Sequence, residues 1–72
     1  MNIINMINKG AEILSKSLTD VNCRFESELL LSFVLKKERI YLMLYSSEDV
    51  EEEASDLFFS LVNRRATGEP FS

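Results

Sequence analysis

Seventy-two residues hold one small domain, and a chain that is 46% apolar and 28% charged has the balance of a folded protein rather than a disordered one. Twelve acids against eight bases leave a net charge of −4, without the basic footprint that nucleic acid or an anionic membrane surface requires. With no histidine and the single Cys23, the chain has no Ser–His or Cys–His pair, no intrachain disulfide and too few ligands for a structural zinc site.

The first helix is written as a stripe. Ile3, Ile7, Ala11, Leu14 and Leu18 are spaced four, four, three and four apart, the signature of one amphipathic face. Asn2 is suited to cap its start, and its end is expected near Ser17. Gly10 lies inside, at a cost of about 1 kcal/mol relative to alanine. Either close approach of a neighbouring helix or a tolerant solvated position accounts for it. The opening Met1 to Ile7 has no basic region ahead of its apolar residues, unlike a signal peptide.

Leu18 to Asn22 supplies turn and cap chemistry. A second helix follows, roughly from Asn22 to Lys36. Phe25, Leu29, Leu30, Leu31, Phe33, Val34 and Leu35 cover most of its circumference in the second half, which predicts a central element surrounded by protein. Its longest apolar run, Leu29 to Leu35, falls far short of the ~20 residues that cross a bilayer. No membrane association and a cytoplasmic location are therefore expected.

Lys36 to Arg39 is a charged break. Ile40 to Tyr45 is short and apolar, and with no second strand-like run to pair with, a short helix is predicted. Ser46, with Asp49 three residues on, resembles a capping box and predicts the start of the last helix there. Glu48, Asp49, Glu51, Glu52 and Glu53 load its first turns with charge that a helix N-terminus favours. Val50, Ala54, Leu57, Phe58, Leu61 and Val62 form its apolar stripe. Arg64 and Arg65 suit the last turn, Gly68 a C-terminal cap, and Pro70 a stop. The fold class is all-α: a small bundle of three main helices plus one short helix, with no domain boundary before Gly68.

Candidate sites are sparse. The acid run near Asp49 lies on a helix in this reading and lacks the glycine bend of a calcium loop, so it reads as a solvated face, and no metal site is expected. Cys23 reads as a structural thiol. Tyr41 and Tyr45, four apart, suit either a partner contact or the core boundary. Arg64 and Arg65 suit either a partner contact or the helix dipole. No catalytic or cofactor-binding residue stands out.

Three segments carry a family resemblance. Arg-Phe-Glu-Ser-Glu-Leu-Leu-Leu-Ser-Phe-Val-Leu, from Arg24 to Leu35, resembles the Arg-x-Asp-Ala-Glu-Leu-Leu-Leu-x-x-Val-Leu stretch of the N-terminal domain of HemK/PrmC-type methyltransferases. Lys37 to Tyr45 resembles the short helix that follows there. Arg64 to Phe71 resembles the Arg-Arg-x-x-Gly-Glu-Pro-apolar signature. Glu26 and Ser27 depart from the usual Asp-Ala.

That family methylates the glutamine of peptide chain release factors. The resemblance implies a non-catalytic domain, residues 1–67, that helps engage the release factor. Residues 68–72, with Gly68, Glu69, Pro70 and Phe71, would then open a connection to a catalytic domain absent from this chain. The glycine-rich loop for S-adenosylmethionine and the Asn-Pro-Pro-Tyr motif that holds the glutamine amide are not in these 72 residues, so the cofactor is implied only for that domain. Composition alone leaves the alternative of a free-standing helical adaptor or dimerisation domain.

Overall fold

A computed structural model describes residues 1–68. Four helices appear in chain order: α1 (Ile3–Ser15), α2 (Cys23–Leu35), α3 (Arg39–Leu44) and α4 (Glu52–Ala66). The main packed pairs are α1 with α2, α1 with α4, α2 with α4, and α2 with α3, which makes α2 central. This is the all-α bundle of three main helices and one short one that the periodicity predicts.

The first two helices start where their caps are written. The Asn2 Oδ1 accepts from the Asn5 N–H at 2.9 Å, and the Asn22 Oδ1 from the Phe25 N–H at 3.0 Å. Helix α2 ends on Lys36 at φ 57°, with the Lys37 N–H donating to the Ser32 carbonyl and the Lys36 N–H to the Phe33 carbonyl. That is the paired closure of a Schellman turn, here with lysine in the left-handed position where glycine is usual.

The start of α4 differs from expectation. The helix begins at Glu52, not at Ser46, and its N-cap residue Glu51 makes no side-chain capping bond. The reason lies in the first turn of α1, whose N–H groups have no partner within their own helix. The Ile3 N–H donates to the Glu48 carbonyl and the Ile4 N–H to the Ser46 carbonyl, each at 2.9 Å. The Val50 N–H returns to the Met1 carbonyl at 3.0 Å, and Asn2 and Asp49 form an isolated antiparallel bridge. Residues 46–50 form a turn and bend held against the chain start, so the carbonyls of Ser46 and Glu48 serve another helix's orphan donors.

The core is Ile3, Met6, Ile7 and Leu14 of α1, Leu30 and Leu31 of α2, Leu42 of α3, and Phe58 and Val62 of α4. Gly10 is buried where α1 meets α2 and α4. A Cβ there would stand 2.5 Å from the Ser27 Oγ and 2.8 Å from the Phe58 Cζ, so close helix approach, not a tolerant surface, explains the residue. Ser27, wholly buried, donates to the Ile7 carbonyl at 2.9 Å, and its departure from the family's alanine is thereby satisfied.

Helix α2 is central but not enclosed. Its buried residues are Ser27, Leu30 and Leu31, while Phe25 and Phe33 remain exposed. The cause is geometric: α3, with 6 residues, is about 9 Å long and covers only part of a 13-residue helix. Among the described residues no helix is long and apolar enough to cross a membrane.

Candidate functional site

The residues singled out at the chain's close fall into two groups. Arg64 and Arg65 occupy the last turn of α4, where their charge complements the helix C-terminus. The Arg65 Nε lies 2.8 Å from the Glu26 Oε1, with both side chains largely covered (16% and 21% exposed), so the last turn of α4 is tied to the first turn of α2. Arg64 points its side chain to an exposed position, and its carbonyl accepts from the Thr67 N–H and hydroxyl. Gly68 follows at φ 100°, a backbone position that favours glycine, with its N–H donating to the Arg65 carbonyl at 3.0 Å. Glu69, Pro70 and Phe71 lie outside the described residues.

The tyrosines share one edge of α3. Tyr41 and Tyr45 stack at a centroid distance of 4.6 Å, and the Lys37 Nζ stands 5.2 Å over the Tyr41 ring. The Tyr41 hydroxyl donates to the Glu48 carboxylate at 3.4 Å. Desolvation, then the Glu48 charge, hold the Tyr41 phenol above its ordinary range. Cys23 is half-buried at the start of α2, its thiol 3.8 Å from the carbonyls of Leu18 and Val21, a packed position for a small side chain.

A second constellation went unread in the sequence. Glu28 of α2 is 14% exposed and sits between two arginines. The Arg24 Nε is 3.3 Å from its Oε2; the Arg39 Nε and Nη2 reach its Oε1 at 3.1 and 2.8 Å. Arg24 also donates to the Asn8 Oδ1 at 2.9 Å, and the Arg39 guanidinium lies 4.5 Å over the Phe25 ring. Two guanidiniums share one carboxylate, so the cluster keeps one positive charge in excess. The Arg24–Glu28 pair is legible at i, i+4 spacing; the participation of Arg39 depends on how α3 folds back on α2.

Beside this cluster, α3 turns an apolar face outward. Ile40, Met43 and Leu44 fall on one side of the helix and are 58%, 71% and 71% exposed. A hollow of about 230 Å³ lies between α1, α2 and α3, with Ile4, Ile7, Leu42 and Met43 as its apolar lining and Arg24 and Glu28 at its edge. Methionine and arginine, two residue types enriched at protein interfaces, lie side by side on this face.

The model of the PrmC N-terminal domain matches residues 5–72. The chain belongs to the PrmC N-terminal domain family. It is 38% identical over 72 residues, all of its length, to a release factor glutamine methyltransferase of Buchnera aphidicola subsp. Acyrthosiphon pisum (strain APS), covering 25% of that relative. It is 34% identical over 65 residues, 90% of its length, to a release factor glutamine methyltransferase of Clostridium acetobutylicum, covering 22% of that one. The chain thus spans about a quarter of the length of the curated relatives it matches. No solved structure matches it. In this chain, Arg65 and Glu26 form a tie between helices, and α3 carries an exposed apolar face.

Proposed function

We propose that this PrmC N-terminal domain engages the protein substrate of an S-adenosylmethionine-dependent release factor glutamine N5-methyltransferase and is itself non-catalytic. The observation that carries this is the match of residues 5–72, essentially the whole bundle, to the domain of a family whose matched relatives bear that enzyme's name. Glycine-loop cofactor binding and amide chemistry then belong to a separate catalytic domain, joined through Gly68, Glu69, Pro70 and Phe71, with residues 1–67 as the helical unit. The setting is the cytoplasm, where release factors act in translation termination.

A separate bundle suits the task physically. An enzyme that modifies one glutamine of a large protein gains specificity from contacts far from the reacting amide, because remote binding energy positions the reacting group. From Glu48 to Asp56 the chain carries six acids and no base, a region that favours encounter with basic surface on a partner, chiefly through orientation and on-rate. Arg65 braces α4 against α2 close to the junction, so it orients the exit of the helix, and both arginines of this last turn stand where a partner could meet them.

The test is a truncation of the methyltransferase that carries this domain. Without residues 1–65 it is expected to bind S-adenosylmethionine as before and to lose affinity for the release factor. Calorimetry of the 72-residue chain with S-adenosylmethionine is expected to show no binding. Unchanged kinetics of the truncated enzyme on the intact release factor would refute the proposal.

A further inference from the structure

We infer that the outer face of α3, with the hollow beside it and the Arg24–Glu28–Arg39 cluster at its rim, is the surface on which the protein substrate docks. The segment it accepts presents a carboxylate next to an apolar side chain. This rests on the reading of the domain as a substrate-engaging unit and adds where, and by what chemistry, it engages.

Three independent features converge on this face. The first is apolar area that the fold leaves open: Ile40, Met43 and Leu44 are more than half exposed on one side of a helix whose inner residue, Leu42, is 1% exposed. Solvent exposure of three large aliphatic side chains on one short helix gains nothing for folding, whereas methionine and arginine are enriched at interfaces. The second is shape. The hollow lined by Met43 and Leu42 of α3 and by Ile4 and Ile7 of α1 is a recess in this face, about 230 Å³, enough for one partner side chain.

The third is charge. The chain carries −4 overall, yet at this rim two arginines face a single carboxylate, an excess of one positive charge. Both guanidiniums already have partners within the domain. Glu28 is nearly covered and holds both guanidiniums, Asn8 holds Arg24 from the side, and the Phe25 ring supports Arg39 from below. A guanidinium presents five N–H donors, and each arginine spends two on these contacts, so donors remain for an incoming carboxylate. An apolar side chain in the recess and a carboxylate against Arg24 and Arg39 satisfy both features at once. A basic segment would be drawn instead to the acids between Glu48 and Asp56.

The experiment is calorimetric titration of the 72-residue chain with the purified release factor encoded by the same genome. Three variants are compared, each checked for a native melting curve: Met43→Ser and Arg39→Glu on the proposed face, and Leu57→Ser, exposed on α4, as a control. Met43→Ser and Arg39→Glu are each expected to weaken binding by about tenfold, with Leu57→Ser binding as wild type. Should Arg39→Glu melt early, Met43→Ser alone decides, because its side chain is mostly in water. If the wild type binds and the α3 variants bind equally well, the assignment of the face is overturned while substrate engagement stands. If the wild type does not bind the release factor, both fail together. Sedimentation equilibrium supplies the last outcome: a dimer that Met43→Ser abolishes, with release-factor binding intact, would give the face to a second copy of the chain and overturn the inference.

Discussion

The inner crossing of α1, α2 and α4 and the outer face of α3 both carry large apolar side chains, and these end in opposite states. At the crossing, Gly10, Ser27 and Phe58 meet at distances that leave no room for a methyl group, and Ser27 is satisfied by the Ile7 carbonyl. On α3, Ile40, Met43 and Leu44 reach solvent, while Leu42 and the half-buried Tyr41 turn inward. Apolar content marks both regions, but only a partner helix decides which becomes core. Among the described residues no helix covers the outer side of α3, and the surface left open is the one proposed above for docking.

Substitutions on the two sides should therefore separate stability from binding. The largest effect is expected from Leu30→Ala, which removes a side chain 2% exposed in the helix that packs on the other three. A loss of about 2–5 kcal/mol is comparable with the ~3–5 kcal/mol that a core of this size supplies, so the variant should show no cooperative melt. Gly10→Ala comes next. Its methyl group would press on the Ser27 hydroxyl and on the rigid end of the Phe58 ring, and a cost of about 1–3 kcal/mol is expected by urea denaturation.

Arg65→Met keeps the aliphatic stem and leaves the Glu26 carboxylate without its partner; about 1–2 kcal/mol should be lost, with less loss in Glu26→Gln, which removes the charge instead of stranding it. Met43→Ser should fall within about 0.5 kcal/mol of wild type by the same measurement. A large destabilisation by Met43→Ser, or a small one by Gly10→Ala, would erase the contrast between the two regions.

Much of the fold is legible from residue pattern because its signals are local. Asn2 and Asn22 cap the helices they precede, and the stripes of α1 and α4 place Ile3, Ile7, Leu14, Phe58 and Val62 in the core. Met6, wholly buried, lies beside the α1 stripe and was not among its marked positions. The misplaced start of α4 has a non-local cause: Ser46 and Glu48 give their carbonyls to α1 across more than forty residues of sequence, and no spacing rule sees that bond.

Gly10 was ambiguous for the same reason, since only Ser27 and Phe58 together reveal what it makes room for. The candidate surface divides likewise. The end of α4 is visible in Arg64 and Arg65, and Arg24–Glu28 is visible at helical spacing. The link of Arg65 to Glu26 and that of Arg39 to Glu28 exist only once the helices are packed. Glu26 and Ser27, which depart from the family's usual residues, each gain an interhelical bond that accounts for the residue present.

The most direct measurement of the central claim is competition. The isolated 72-residue chain is added to the methyltransferase that carries this domain while it modifies an intact release factor. Substrate engagement by the bundle predicts inhibition that is competitive with the release factor and indifferent to S-adenosylmethionine concentration, and weaker inhibition by the Met43→Ser chain. An unchanged rate at concentrations of added chain that saturate release-factor binding in calorimetry would contradict it.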